Sequence, residues 1–174
     1  MKEKYLLAWM DNVERFAETS EAKRLKVAAF LFKDGNVISH ACNGTPVGWH
    51  TNECENEVYA DEEMFWLFDG NQEVDGNTFD KILVQYPLED GNHRRYKLVT
   101  KDCVVHAEEQ CLQKMWHSHE TTENSVMLIS HSPCFKCSLK IKSAGIKKVY
   151  YRHNYRSTEG IEYLVANNVQ VEQI

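Results

Sequence analysis

Apolar positions recur at helical spacing along the first segment, Glu3 to Glu18, where Leu6, Trp9, Met10, Val13 and Phe16 fall on one side. An amphipathic helix is expected there. The pattern then changes period. Lys26 to Phe32 is an apolar run that stops before Asp34-Gly35, and Asn36 to Ala41 follows with Val37 and Ile38. The Asp-Gly pair tolerates the positive φ angles of a tight turn, so the two runs read as antiparallel strands of a hairpin. Asn43-Gly44-Thr45-Pro46 interrupts the pattern as a loop.

The middle of the chain is less regular. Glu55 to Phe68 is expected to be a helix, with Val58, Phe65 and Leu67 as its apolar positions. Residues 69–103 contain three glycines, and within them Ile82 to Tyr86 reads as a strand. The span from about 50 to 100 is therefore read as an insertion on the core fold. Regular spacing returns at His106 to Trp116, with Ala107, Cys111, Leu112 and Met115 at helical intervals. Val126 to Ile129 is a short buried strand, and Pro133 to Ala144 a helix that opens at proline and closes at Gly145. Lys148 to Tyr151 is strand-like, Thr158 to Asn167 helical, and Val169 to Val171 a last strand. This alternation indicates a layered α/β domain in which helices cover a mixed sheet, with residues 1–174 as one domain.

Composition adds bounds. At 174 residues, with 43% hydrophobic and 11% aromatic residues, the chain is long enough and apolar enough for one packed core. No apolar run approaches the roughly 20 residues of a membrane span. The first segment is interrupted by Asp11, Glu14 and Arg15, unlike a signal peptide, so a soluble cytoplasmic protein is expected. The cysteines at 42, 54, 103, 111, 134 and 137 are accordingly read as reduced thiols, some of them available to a metal. A net charge of −6 opposes a broad, sequence-independent grip on polynucleotide phosphates. A single phosphate needs only a local pocket, and Lys147, Lys148, Arg152 and Arg156 form a local basic cluster.

Two short motifs carry the candidate chemistry: His106-Ala107-Glu108 and Pro133-Cys134-Phe135-Lys136-Cys137. Cys134 and Cys137 are three apart at the start of a predicted helix, so their sulfurs share a face, and the helix N-terminus favours the thiolate that binds metal. One histidine nitrogen and two thiolates leave the fourth tetrahedral position of zinc open, as in catalytic rather than structural sites. Glu108, two residues beyond the histidine, is close enough to take a proton from water without being a ligand. The combination His-x-Glu with Pro-Cys-x-x-Cys is the signature of the zinc deaminases. A structural zinc knuckle would require a fourth protein ligand and leave Glu108 idle. A redox dithiol has no other support in the sequence. Cys42, Cys103 and Cys111 read as core cysteines, and His117, His119 and His131 as surface or loop histidines.

These motifs, with Lys26-Val27, Asn43-Gly44-Thr45-Pro46-Val47-Gly48, Val105-His106-Ala107-Glu108, and Ser132-Pro133-Cys134 through Ser143-Ala144-Gly145-Ile146-Lys147-Lys148, make the chain similar to the deoxycytidylate deaminases of the cytidine deaminase-like superfamily, the phage-type enzymes in particular. The resemblance implies a three-layer α/β/α fold with a mixed central sheet. It also implies one catalytic Zn2+ on His106, Cys134 and Cys137, with Glu108 as proton shuttle. Asn43 would lie near the sugar and Tyr155 near the phosphate or sugar; separately, the Ala107 N–H, at a predicted helix start, is expected to help hold the pyrimidine carbonyl. For Asn43 a turn role before Gly44, and for Tyr155 a place at the sheet edge, stay open as alternatives.

By the same resemblance the reaction is hydrolysis of dCMP to dUMP and ammonia, which supplies thymidylate synthesis. The expected assembly is a homohexamer in the cytoplasm (that of the host for a phage-encoded chain), without membrane or nucleic-acid partners. Control by dCTP and dTTP is linked in the family to a Gly-Cys-x-Asp-Asp version of the loop at Trp49 to Glu55, which this sequence does not reproduce. Some relatives hold a second, structural zinc. Cys54 and His93 suit such a site, but Lys23 and Val104 stand where further ligands are needed, so none is expected. The rival functions are a nucleic-acid cytosine or adenine deaminase, a deaminase of free nucleosides, and an inactive zinc-binding module. The C5 substituent of the pyrimidine is left open.

Overall fold

A computed structural model describes residues 2–59, 84–87 and 93–174. Helix α1 (Glu3–Ala17) leads into strands β1 (Ala28–Lys33) and β2 (Asn36–Cys42), then β3 (Glu55–Tyr59), β4 (Val84–Pro87) and β5 (His93–Thr100). Helix α2 (Ala107–Gln113) continues as a 3-10 turn over Lys114–His117. Strand β6 (Val126–His131), helix α3 (Phe135–Ser143), strand β7 (Lys148–His153), helix α4 (Glu159–Ala166) and strand β8 (Gln170–Gln173) complete the order.

The hairpin turn forms as its sequence requires. Asp34 and Gly35 have φ of 49° and 87°, the two consecutive positive values of a type I′ turn, and Lys33 pairs with Asn36 across it. Strand β1 also pairs antiparallel with β6, while β6, β7 and β8 run parallel, giving a mixed sheet of order β2-β1-β6-β7-β8. Strand β1 is buried on both faces, which is why its sequence is continuously apolar rather than alternating. Ala28, Phe30 and Phe32 meet Leu6, Met10, Val13 and Ala17 of α1 on one face. Ala29 and Leu31 point to the other, where Ala107, Cys111 and Leu112 of α2, Ile141 of α3 and Leu164 of α4 close the main core. Helices on both faces of a mixed sheet make the three-layer α/β/α arrangement that the resemblance implies.

The described part of the middle segment departs from expectation. Glu55–Tyr59 is not the start of a helix but strand β3, paired residue for residue with Tyr96 to Thr100 in an antiparallel sheet of order β3-β5-β4. Its own pattern decides little between the two, and a distant partner strand supplies the backbone hydrogen bonds that settle it. The rest of that predicted helix, 60–68, lies outside the described residues, as do positions 82 and 83 of the predicted strand, which appears as β4. Elsewhere boundaries shift by a few residues. Helix α3 begins at Phe135 rather than at Pro133, because Cys134 is still extended (φ −69°, ψ 164°) and serves as the N-cap.

Candidate active site

Strand β6 ends at His131, and the chain then turns sharply: the Ser132 N–H donates to the His153 carbonyl at the end of β7 (2.8 Å), Pro133 is buried, and Cys134 caps α3. Across from it His106 caps α2, so two helix starts meet beyond the ends of the parallel strands. The Asn43 loop is held alongside by paired backbone hydrogen bonds between Gly44 and Val105 (3.1 and 2.9 Å). The side chain of Gln110 donates to the Gly44 carbonyl as well.

His106 Nδ1 lies 3.6 Å from Cys134 Sγ and 3.4 Å from Cys137 Sγ, and the donor atoms of all three residues fall within 4.8 Å of one another. A tetrahedral ion with Zn–S of about 2.3 Å and Zn–N of about 2.0 to 2.1 Å separates such a nitrogen and sulfur by about 3.6 Å. The three residues therefore fit zinc without rearrangement. All six cysteines are free thiols, so no disulfide competes for the sulfurs. The Cys134 thiol is drawn down to about 4, first by the Cys137 thiol and, against the effect of burial, by His106, while Cys137 is pushed upward by its contact with Cys134. The His106 ring is held more basic than usual, first by its hydrogen bond to Cys134 and then by the Glu108 charge, against the effect of burial.

Glu108 is 4% exposed and lines the same cavity as His106, Ala107 and Cys134. Burial raises its carboxyl above the ordinary carboxylate range, with a smaller opposing effect from its own backbone N–H and from His106. A carboxyl tuned upward towards neutrality can both take and return a proton.

The cavity is about 800 Å³ and open to solvent. Asn43 lies in its wall with an occupied side chain: Oδ1 accepts from Ser20 Oγ (2.9 Å) and the Val27 N–H (2.8 Å), and Nδ2 donates to the Leu25 carbonyl (2.9 Å). Asn43 thus organises the loop, and its amide carries a second N–H beyond the one donated to the Leu25 carbonyl. Tyr155 is half-buried and lines the same cavity, its N–H donating to Ser132 Oγ (2.7 Å) and its ring beneath the Arg156 guanidinium at 5.2 Å.

The predicted basic cluster does not stay together. Arg156 lines the cavity, but Arg152 pairs with Asp11 and Glu14 of α1 and Lys148 with Glu172. In exchange the fold brings Arg24 into the wall, its Nη1 donating to Thr100 Oγ1 (3.1 Å), with Glu55 accepting from the Lys23 and Arg24 N–H groups. His131 is also in the wall rather than on the surface, its ring 5.1 Å from that of His153. Nothing in the local sequence marked Arg24, Glu55, Thr100 or His131, because their approach depends on β3, β5 and the end of β6. His117 and His119 are exposed, and Cys111 is a core thiol whose pKa burial raises to about 11. Cys54 is buried, and the side chain of His93 lies outside the described residues.

Residues 3–153 match the family model of the cytidine and deoxycytidylate deaminase zinc-binding region, and the chain belongs to that family. Among its relatives, the deoxycytidylate deaminase of Enterobacteria phage T4 is 26% identical over 145 residues, covering 80% of this chain and 72% of that protein. Among solved structures, the dCMP deaminase of cyanophage S-TIM5 in complex with dCMP and dUMP superposes with a TM-score of 0.73 at 37% identity, covering 100% of this chain and 99% of that one. The apo form of the same enzyme gives 0.71 at 33%.

Proposed function

We propose that this protein is a zinc-dependent dCMP deaminase that converts dCMP and water to dUMP and ammonia. The observation that carries the reading is the His106, Cys134 and Cys137 triangle, at the N–S spacing of a zinc centre, with buried Glu108 in the same cavity. The choice of dCMP within the family rests on the likeness, over the whole chain, to an enzyme solved with dCMP and dUMP.

When bound, zinc supplies Lewis acidity that brings the pKa of water towards neutrality. Glu108 takes a proton from the attacking water, whose oxygen adds to C4 of cytosine, and delivers that proton to N3. A second transfer through Glu108 to the 4-amino group lets ammonia leave as the uracil carbonyl forms. The Ala107 N–H, at the start of α2, is the donor we assign to the pyrimidine carbonyl, and the free Asn43 amide hydrogen is assigned to the sugar. Arg24 and Arg156, with Tyr155, suit a single phosphate; the acidic whole needs no more than these two guanidinium groups for one nucleotide. Residues 1–174 are read as one deaminase domain in which the β3-β5-β4 sheet is an insertion that contributes Glu55 and Thr100 to the cavity wall. The likeness to phage enzymes supports a homohexamer acting in the cytoplasm of a host cell. dCTP and dTTP are the effectors to try, at a loop whose sequence differs from the regulated pattern.

Incubation with dCMP, CMP, deoxycytidine and a cytosine-containing single strand, following ammonia and the loss of cytosine absorbance, tests the reading. Turnover of dCMP and not of the single strand is expected. A zinc-loaded protein that leaves dCMP intact rules the proposal out.

A further inference from the structure

Gly160, the second residue of α4, is buried and does not have the positive φ that would by itself call for glycine. A Cβ placed there would lie 2.1 Å from the Pro133 carbonyl oxygen, 2.7 Å from Ser138 Oγ and 2.9 Å from the Cys134 carbonyl carbon, separations at which something must move. Two of the three atoms are backbone and cannot rotate aside. Pro133 is itself fixed, since the preceding Ser132 N–H is bonded to β7, and α4 is tied to the core by Leu164, which is fully buried. Ser138, on the other side of the contact, is also fully buried, and its hydroxyl has no hydrogen-bond partner.

We propose that Gly160 is a positioning residue for the metal centre, its missing side chain letting the first turn of α4 rest on the Pro133–Cys134 backbone and thereby setting where the two sulfurs stand relative to His106. This rests on the zinc role proposed above. The N–S distances of 3.4 and 3.6 Å leave little tolerance, so a shift of several tenths of an ångström at Cys134 degrades the triangle. The glycine is a close-approach glycine acting on a ligand some 26 residues earlier in the chain, outside both zinc motifs.

The test is Gly160→Ala in the full chain, read by zinc affinity in chelator competition and by the thiolate-to-metal absorption of the cobalt-substituted protein. Zinc affinity is expected to fall about 10- to 100-fold, the range for loss of a group that orients a ligand, with altered cobalt bands and little change in KM for dCMP. Leu164→Val, on the same helix, serves as control: it should lower Tm while leaving affinity and bands unchanged. Gly160→Ala with a lowered Tm but wild-type affinity and bands overturns the proposal. If that variant does not fold, Ser138→Thr adds one methyl group at the same contact and should weaken zinc binding to a smaller extent; unchanged affinity there overturns it equally. A wild-type protein lacking thiolate–cobalt bands would remove the zinc reading itself, and this inference with it.

Discussion

Replacing Glu108 by glutamine removes a proton carrier while preserving shape. The side chain is 4% exposed and sits in the cavity wall beside Ala107 and the Cys134 cap, so an isosteric amide fits without a new cavity. General acid–base assistance contributes about 10²- to 10⁴-fold, which corresponds to roughly 3 to 5 kcal/mol of barrier. Because glutamine carries no charge to desolvate, the substitution also removes the cost of burying a carboxylate, and Tm should be no lower than that of the wild type. The assay is steady-state ammonia release from dCMP with zinc content measured on the same sample. A fall of at least 100-fold in kcat at full zinc occupancy is expected. Activity within tenfold of wild type would refute the shuttle assignment. Loss of zinc together with activity would instead make Glu108 part of the metal-binding set.

Two further expectations separate the layers of the fold. Met10→Ala, at a fully buried position of α1, should cost about 2 to 5 kcal/mol in urea unfolding yet leave kcat and zinc content unchanged, since α1 lies on the sheet face opposite α2 and α3. A tenfold drop in kcat of the folded variant would show that this separation fails. His131 is held below its ordinary value of 6.5, first by burial and then by the neighbouring His153, with Glu14 opposing. A depressed folded-state pKa means that its contribution to stability is present above about 6.5 and is lost as pH falls through the folded value. His131→Leu should therefore flatten the decline in unfolding free energy below pH 6.5. An unchanged slope would contradict the assignment.

The local parts of this protein were legible in its sequence because they depend on spacings of a few residues. The α1 stripe of Leu6, Met10 and Val13, the Asp34-Gly35 turn and the Cys134–Cys137 interval encode geometry within one or two turns of chain, and the structure repeats them. The meeting of His106 with two cysteines 28 and 31 residues later was readable only through a known motif, since nothing in the spacing itself dictates that contact. Tertiary structure alone decided the remainder. Residues 55–59 became a strand because β5 offered a partner, Arg24 reached the cavity through Thr100, 76 residues away, and Arg152 left the basic cluster for Asp11 and Glu14. Gly160 belongs with these. Its sequence context reads as an unremarkable helix start, and only the Pro133 carbonyl oxygen, which would lie 2.1 Å from a Cβ placed there, shows that a side chain has no room. Periodic patterns report which face of an element is buried; which distant backbone lies against that face is set by packing of the whole chain.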